Sequence, residues 1–324
     1  MGEPGPSFAD ILAAADRLRG RVRQTPLVKS RWLSAHTGGE VYLKLECWQH
    51  LGAFKVRGML NRALTLTAAE RAAGVVVASS GNHGVAASWC GGELGIDVEV
   101  FVPRPTPEAK VAKIRYYGAR LHLAGEGYDE ACQAAKEYRA AHPAKVWVDS
   151  CADPVAVAGH GTIGLELGED LAAFDEVLVP VGGGGLITGV GAALRELRPG
   201  VRVTAVQTEA CPALAASLRD GVCYETYPTE PSVCEALVGG IGDLVFRRAG
   251  ECIDRVVLAA EGSIEQAVVG MIRHEQVLAE PSAAIGWAYV HDNPAELTGR
   301  RTVVVISGAN VDYGLLRRLM ASNG

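Results

Sequence analysis

The stretch EVLVPVGGGGLITGVGAAL at residues 176–194 decides the class of fold. Its first six residues are mostly apolar and suit a short buried strand, and four consecutive glycines follow at Gly182–Gly185. From Leu186 onward, apolar residues recur at the spacing of a helix. Pro180 and the glycines divide the run, so it predicts a strand, a loop and a helix rather than a membrane span. A strand that leads into a helix in this way is typical of an α/β fold.

Short strands alternate with helical segments along most of the remaining chain. In Ser7–Leu18, apolar residues repeat every three to four positions behind a serine cap, which predicts a helix. Such alternation implies parallel strands joined by right-handed crossovers, and therefore an α/β fold. At roughly 150 residues per domain, 324 residues predict two domains. The other candidate strands are Val41–Leu45, Val75–Ala78, Val98–Val102, Arg120–Leu123, Val146–Val148, Val201–Gln207, Arg255–Leu258 and Thr302–Ile306.

The composition excludes several classes of protein. Lysine and arginine number 31 and aspartate and glutamate 37, a net charge of −6, whereas nucleic acids and anionic membranes require a basic surface. Hydrophobic residues make up 48% of the chain, which is too many for a disordered protein. The first twenty residues lack the pattern of a secretory signal. The eight cysteines form no CxxC pair, so we expect free thiols in a reducing cytoplasm and no nucleic-acid or membrane partner.

Two further strands also run into glycine-containing loops. Val75–Ala78 leads to Ser79-Ser80-Gly81-Asn82-His83-Gly84, and Thr302–Ile306 leads to Ser307-Gly308-Ala309-Asn310. In open α/β sheets, ligands bind beyond the carboxyl ends of strands, where backbone N–H groups of such loops hold anions. Gly182–Gly185 is the strongest of these signals and predicts a phosphate-binding loop, although a flexible turn has the same composition. The loop matches neither the Walker motif nor the GxGxxG spacing of dinucleotide sites.

Lys55 stands between Phe54 and Val56 at the predicted start of a helix. Lysines usually face water, and a solvated surface is the simpler interpretation of this residue taken alone. A lysine amine withdrawn from water is instead a nucleophile for carbonyl groups. A phosphate loop without a nucleotide motif favours the second interpretation, because pyridoxal phosphate carries both a phosphate and an aldehyde. The residues therefore predict pyridoxal phosphate as the cofactor.

Several motifs, in order along the chain, resemble those of the pyridoxal-phosphate-dependent serine/threonine dehydratase family. The segment 44–58 resembles the cofactor-lysine motif of that family, and Gly182–Gly185 resembles its phosphate loop. The resemblance runs from Thr25 to Asp312 and is more specific for the family than for the substrate. The other matching segments are Ser79–Gly84, Ala158-Gly159-His160-Gly161-Thr162, Glu280-Pro281-Ser282-Ala283 and Ser307-Gly308-Ala309-Asn310.

The resemblance implies fold type II of the pyridoxal-phosphate enzymes, which is the fold of the tryptophan synthase β subunit. Two open, twisted parallel sheets with helices on both faces would form two domains. A large cofactor-binding domain would comprise residues 1–73 and 151–324, and a small domain would comprise residues 74–150. The resemblance also implies a homo-oligomer, with a dimer favoured, that acts on a small amino-acid substrate.

The resemblance also implies roles for individual residues. Lys55 would bind the cofactor as a Schiff base, with Phe54 against the ring, Asn82 on the ring hydroxyl and Ser307 facing the pyridine nitrogen. Ser80 would be the second catalytic residue, on the face of the cofactor opposite Lys55. The cofactor would be held by Phe54, Lys55, Asn82, Gly182, Gly183, Gly184, Gly185, Leu186, Glu280 and Ser307. The substrate carboxylate would be held by Ser79, Ser80, Gly81, Asn82 and His83.

The sequence departs from the usual family pattern at several positions. Ala53 stands where a serine or asparagine is common, and His160 stands where a glutamine is common. Ser150-Cys151 stands where a polar side chain often assists the substrate carboxylate. Glu209 has no acidic partner a few residues further on, since Cys211–Leu218 contains none, so we predict no metal site. Glu280 precedes Pro281 at a predicted helix start, where it would either cap the helix or contact the cofactor.

The predicted site suits the α,β-elimination of water from a 3-hydroxy amino acid, which yields a 2-keto acid and ammonia. Lys55 would take the α-proton, and a neutral Ser307 beside the pyridine nitrogen would favour prompt loss of the β-hydroxyl group. An amino-acid racemase, with Ser80 returning a proton on the opposite face, uses the same residues. A catalytically silent binding protein is a third hypothesis, against which the retained Lys55 and glycine loop argue.

Overall fold

The computed structural model describes residues 5–323, and residues 1–4 and 324 of the predicted large domain lie outside the described residues. Within this range the chain forms ten strands and fourteen α-helices. The strands are β1 (Leu27–Ser30), β2 (Glu40–Lys44), β3 (Val75–Ala78), β4 (Val98–Val102), β5 (Arg120–Leu123), β6 (Val146–Trp147), β7 (Glu176–Pro180), β8 (Arg202–Thr208), β9 (Arg255–Ala259) and β10 (Arg301–Val305). The helices are α1 (Phe8–Leu18), α2 (Arg31–Thr37), α3 (Lys55–Leu64), α4 (Ala68–Ala73), α5 (Asn82–Leu94), α6 (Glu108–Tyr116), α7 (Tyr128–Ala141), α8 (Pro154–Asp170), α9 (Gly185–Leu197), α10 (Ala213–Asp220), α11 (Asp243–Cys252), α12 (Glu261–Gly270), α13 (Pro281–Asp292) and α14 (Tyr313–Asn323).

The strands form two sheets, which confirms the predicted α/β class. The larger has the order β1-β2-β10-β7-β8-β9 and draws on strands before residue 45 and after residue 175. The smaller has the order β5-β4-β3-β6 and lies between residues 75 and 147 of the sequence. The domain boundaries near residues 74 and 150 stay a prediction. None of the helices within residues 5–323 is long and apolar enough to cross a membrane.

The sequence analysis missed β1, which is the exception to its expectation of parallel strands. β1 pairs antiparallel with β2, whereas the other strand pairs of both sheets are parallel. β1 is a four-residue edge strand, and Val28 and Lys29 in its centre are both exposed. An edge strand that buries so little lacks the run of apolar residues by which buried parallel strands are recognised.

The central strands of the larger sheet are buried on both faces, as parallel strands between two helix layers must be. Val177 and Val179 of β7 pack into one apolar cluster with residues of α1, α8, α9 and α11. Leu178, between them, points to the other face and packs with residues of α2, α12, α13 and α14. Val303 and Val304 of β10 divide between the same two clusters. The larger sheet is therefore covered by helices on both faces.

Helices α3, α8 and α9 approach each other closely because glycines lie where they cross. A Cβ on Gly159 of α8 would lie 2.6 Å from the carbonyl oxygen of Arg57 in α3. A Cβ on Gly189 of α9 would lie 2.6 Å from the backbone nitrogen of Gly161 in α8. Glycine alone lets backbones approach so closely. The three helices therefore pack as one unit, with Lys55 at the start of α3 and the tetraglycine at the start of α9.

A buried ion network fixes α3 against α8 and the segment after β2. The guanidinium of Arg57 is fully buried and donates from Nε and Nη2 to the carboxylate of Glu46, each at 2.8 Å. It also donates to the carboxylate of Glu166, from Nη1 at 2.5 Å and from Nη2 at 2.9 Å. Lys44, also fully buried, pairs with Glu166 at 2.8 Å and Asp170 at 2.9 Å. Burial by itself would lower the pKa of Arg57, but the carboxylates of Glu46 and Glu166 raise it above its ordinary value. Arg57 therefore stays charged.

We expect Arg57→Met to lower the free energy of unfolding by about 3–5 kcal/mol, because Glu46 would be left buried without its partner. The matched control is Arg104→Met, which breaks the exposed 3.4 Å pair of Arg104 with Glu126 and should have a small effect. Urea denaturation of the three proteins, followed by circular dichroism, measures the difference. Equal losses in the two variants would contradict the structural role of Arg57.

Candidate active site

Residues from both sheets meet beyond the ends of strands β3 and β10. The backbone N–H of Phe54 donates to the carbonyl oxygen of Ser307 at 3.1 Å. The side-chain amide of Asn82 donates from Nδ2 to Oε1 of Glu280 at 2.9 Å, and Nδ2 of Asn310 donates to Oδ1 of Asn82 at 2.7 Å. The structure thus brings together residues that are up to 256 positions apart in the sequence.

Lys55 is the first residue of α3, and its side chain is half-buried. Its Nζ donates to Oγ of Ser150 at 2.9 Å and lies 4.9 Å from the centre of the Phe54 ring. Within residues 5–323, Lys55 forms no ion pair. A lysine that is held by a neutral hydroxyl is not tied to a carboxylate, so its amine can react with a carbonyl group once the ammonium has lost its proton.

The tetraglycine forms the start of α9. Gly184 is the N-cap residue with a φ of +89°, a left-handed conformation that favours glycine. No side chain caps this helix, and its first turn contains no acidic residue, so its first N–H groups are open to a ligand. A Cβ on Gly185 would lie 2.5 Å from the carbonyl oxygen of Ser150. The loop fits a phosphate group, because these N–H groups and the helix dipole favour an anion.

The loop from Ser79 to Gly81 leads into a second uncapped helix, α5. Gly81 is the N-cap residue, no side chain caps the helix, and its first turn contains no acidic residue. Oγ of Ser79 accepts a hydrogen bond from the backbone N–H of Gly81 at 3.2 Å. The hydroxyl of Ser80 is half-buried and makes no hydrogen bond to the described residues. This helix N-terminus fits a second anion, such as the carboxylate of an amino acid.

His83, in the first turn of α5, is buried and contacts the backbone. Its Nε2 lies 3.1 Å from the carbonyl oxygen of Val148, to which it can only donate. Burial, and then the positive charge of Lys55, lowers the pKa of His83 to about 4, so the ring is neutral. The contact fastens the α5 loop to the end of β6, and it leaves Nε2 unavailable to a substrate.

Glu280 is the N-cap residue of α13, but its side chain makes no capping hydrogen bond. Of the two roles considered for it, the structure therefore excludes the capping bond and directs the carboxylate to Asn82. Burial raises the pKa of Glu280 to about 7, against the opposing effect of hydrogen bonds from Asn82 and from the backbone of Asn310. The carboxyl group can therefore gain or lose a proton near neutral pH.

Ser307 and Leu186 are both buried beside these loops. Ser307 follows β10, and its carbonyl oxygen ties it to Phe54. The side chain of Leu186 packs in the apolar cluster between α9 and the sheet, so Leu186 could hold a phosphate only through its backbone N–H. Only the backbone N–H of Leu186 is therefore available for its predicted role in holding the cofactor.

His160 packs edge-on against Phe54, with ring centres 4.8 Å apart. Its fit depends on Gly58, where a Cβ would lie 2.3 Å from Cε1 of the histidine. Neither ring nitrogen of His160 has a hydrogen-bond partner of good geometry among the described residues. The backbone of Ser150 nevertheless lies close enough to the ring to act in the direction of a higher pKa for His160. Burial, and then the charge of Lys55, keeps the pKa of His160 well below its ordinary value, so this ring is also neutral.

The sequence analysis missed three contributions to the site. Ser150 was considered only for the substrate carboxylate, and the structure places its hydroxyl on Lys55. Asn310 was noted as the end of a motif without a role, and it binds Asn82. Lys113 was not considered, because a lysine among the charged residues of α6 resembles a solvated face; its Nζ donates to Asn310 at 2.6 Å.

The predicted absence of a metal stays a prediction. Glu209 is exposed after β8, and its backbone N–H donates to the carbonyl oxygen of Ala259. In the part of the chain that the structure describes, no three His, Cys, Asp or Glu side chains are grouped to hold a metal ion.

We expect Gly185→Ala to weaken the binding of pyridoxal phosphate at least tenfold, which is about 1.4 kcal/mol. The new Cβ would collide with the backbone of Ser150 and displace the first turn of α9. Gly262→Ala, in the first turn of α12, is the matched control, since a Cβ there meets no atom within 4 Å. Titration of the apo-proteins with the cofactor gives the dissociation constants. Equal affinity in Gly185→Ala and the control would show that the phosphate lies elsewhere.

Comparison with known proteins identifies the family. Residues 18–308 match the model of the family described as pyridoxal-phosphate dependent enzymes. The L-threonine ammonia-lyase of Thermotoga maritima is 39% identical over 97% of this chain and 78% of its own length. The catabolic L-threonine dehydratase TdcB of Escherichia coli is 36% identical over 96% of this chain and 94% of its own length. The structure of maize serine racemase is 28% identical and covers 98% of both chains with a TM-score of 0.90.

These matches span the glycine loops, Lys55 and both sheets, and they confirm the resemblance that the sequence motifs show. The uncapped start of α9 and the free amine of Lys55 fit the phosphate and the aldehyde of the cofactor. The chain belongs to the family of pyridoxal-phosphate-dependent enzymes, has the fold of its type II members, and uses pyridoxal phosphate as its cofactor.

Proposed function

We propose that the enzyme removes water from a 3-hydroxy amino acid of the L-threonine or L-serine type and releases a 2-keto acid and ammonia. The observation that carries the proposal is the amine of Lys55, which has a neutral partner and lies at a site with two uncapped helix N-termini. One N-terminus fits the cofactor phosphate and the other fits the carboxylate of an amino acid. The names of the two bacterial relatives support this substrate class.

The residues around Lys55 divide the work of the reaction. When bound, pyridoxal phosphate withdraws electrons from the α-carbon of an amino acid. Nζ of Lys55 would take the α-proton, and Oγ of Ser150, 2.9 Å away, would hold that amine in place. The N–H groups at the start of α5 hold the substrate carboxylate and so fix the α-carbon in front of Lys55.

Ser307 favours elimination over racemisation, in which a proton returns to the α-carbon. A neutral hydroxyl group cannot supply the negative charge that would keep a pyridine nitrogen protonated, so electron withdrawal by the ring is moderate. Excess charge at the α-carbon would then be relieved most easily by loss of the β-hydroxyl group, which could leave as water by taking the proton that Lys55 has accepted. The buried position of Ser307 after β10 supports this assignment.

A racemase is the second candidate, and two observations favour it. The fold matches that of maize serine racemase with a TM-score of 0.90. The hydroxyl of Ser80 has no hydrogen-bond partner within residues 5–323, so it is available as the second acid–base group that a racemase needs. A silent binding protein is less well supported, because such a protein has no use for the free amine of Lys55.

Assembly, location and domain division are further parts of the proposal. We propose a homodimer, in keeping with the resemblance to the family. A cytoplasmic location is supported by the eight cysteines, all of which are free thiols. The large domain of residues 1–73 and 151–324 and the small domain of residues 74–150 agree with the residue ranges of the two sheets.

Borohydride reduction should identify Lys55 as the lysine that binds the cofactor. The purified holoenzyme should be yellow, and reduction should abolish its visible absorption band and leave a stable label on Lys55. Peptide mapping by mass spectrometry locates the label, and Lys55→Ala, which should stay colourless, is the control. A label on Lys44 or Lys113 would overturn the assignment.

Ser80→Ala should separate elimination from racemisation. If Lys55 alone handles the α-proton of an L-substrate, this variant keeps much of its elimination from L-serine and L-threonine. Racemisation, and elimination from the D-enantiomers, should fall by roughly 10²–10⁴ with the loss of a general acid or base. Keto acid and D-amino acid are measured with both enantiomers. Parallel losses, mainly in KM, would mean that Ser80 only holds the carboxylate loop.

A further inference from the structure

A chain of side-chain hydrogen bonds runs from α6, beside the smaller sheet, to the candidate active site. Nζ of Lys113 donates to Oδ1 of Asn310 at 2.6 Å, and Nδ2 of Asn310 donates to Oδ1 of Asn82 at 2.7 Å. Nδ2 of Asn82 then donates to Oε1 of Glu280 at 2.9 Å. Four residues, from α6, the loop after β10, α5 and the start of α13, are thereby joined, and the hydrogen bonds all run in the direction from Lys113 to Glu280.

The partners of Asn310 fix its orientation. A lysine ammonium can only donate, so it requires the oxygen of the Asn310 amide. The carbonyl of Leu51, which can only accept, receives a hydrogen bond from Nδ2 of the same amide at 2.8 Å. Both constraints turn the NH₂ group of Asn310 towards Asn82, which must therefore present its own oxygen.

Asn82 is left with one N–H to spare. One hydrogen of its Nδ2 goes to Glu280, and the other has no partner among the described residues. The proposed role of Asn82 on the ring hydroxyl of the cofactor requires such a donor. If the amide were rotated by 180°, its oxygen would face both the carboxylate of Glu280 and the cofactor oxygen.

We propose that Lys113 is a positioning residue that acts on the cofactor through Asn310 and Asn82. Its charge strengthens the first hydrogen bond of the chain and so holds the Asn82 amide with its N–H towards the cofactor ring. Because Lys113 belongs to α6, the donor is held only while α6 lies against the loop that carries Asn310. This inference rests on the proposed role of Asn82.

The surroundings of Lys113 support a built contact rather than a chance one. The side chain is half-buried, and burial lowers its pKa, whereas the charge of Glu280 opposes that effect. Lys110, one turn earlier on α6, pairs with Glu235 in the segment before α11. Lys110 and Lys113 of α6 thus bind two segments that adjoin strands of the larger sheet, one between β8 and β9 and the other after β10.

The test compares Lys113→Met, Lys113→Glu and Lys113→Arg with the wild-type holoenzyme. The readouts are the wavelength of the cofactor's visible absorption band, the pH midpoint of that band, and the dissociation constant of pyridoxal phosphate. We expect Lys113→Met to shift the band or its midpoint and to weaken binding at least about tenfold, as for loss of a hydrogen bond to a charged group. Lys113→Glu, which presents an acceptor to the oxygen of Asn310, should have a larger effect, and Lys113→Arg should keep the wild-type values.

Two controls make the result specific to the chain of hydrogen bonds. Lys136→Met removes an equally positive but exposed side chain from α7 and should change none of the readouts. In a double-mutant cycle, Lys113→Met should add nothing to the effect of Asn310→Ala, because the two residues act through one contact. The charged groups Glu280, Lys110 and Glu235 are unchanged in every variant.

Each outcome decides one point. Wild-type spectra, midpoints and affinities in Lys113→Met and Lys113→Glu would overturn the role of Lys113 and leave the proposed function intact. Additive effects in the cycle would mean that Lys113 acts by charge alone and would overturn the route through Asn310. A wild-type protein that carries no cofactor on Lys55 would instead overturn the proposed function, whatever the variants do.

Discussion

The buried pairs of Arg57 with Glu46 and Glu166 hold helix α3 against α8 and the segment after β2. Arg57 lies two residues after Lys55, so the network that locks Arg57 also fixes the first turn of α3. A buried charge that loses one partner is costly, which makes this geometry hard to deform. Glycines at the crossings of α3, α8 and α9 complete the arrangement, because they let α3, which begins at Lys55, and α9, which begins at the tetraglycine, both pack closely against α8.

Two helices with glycine N-caps complete the site on this support. α9 and α5 both begin at the carboxyl end of a strand, and neither has a capping side chain or an acidic residue in its first turn. Other helices, such as α10 and α13, also begin without a capping bond, but their N-cap residues are Pro212 and Glu280 rather than glycine. The starts of α5 and α9 are therefore suited to external anions, and Lys55 provides the amine that an aldehyde requires.

Much of this arrangement could be predicted from the sequence, because it depends on local patterns. The tetraglycine after an apolar strand predicted the start of α9, and the position of Lys55 predicted the start of α3. What could not be predicted depends on contacts between distant residues. Nothing in the sequence indicates that Ser150 meets Lys55 or that Lys113 reaches Asn310. The position of Ser150 suggested only the substrate carboxylate as its partner, and Lys113 looks like an ordinary charged residue of a surface. The bond that fastens His83 to the backbone of Val148 is likewise visible only in the fold.

We propose that the amine of Lys55, which lies at a site with the uncapped starts of α5 and α9, serves an elimination. The most direct measurement follows purified holoenzyme with L-threonine and with L-serine and quantifies keto acid, ammonia and D-amino acid in the same reaction. The account predicts equal amounts of keto acid and ammonia from at least one of these substrates, with D-amino acid as a minor product. Formation of D-amino acid without keto acid, or conversion of neither substrate, would contradict it.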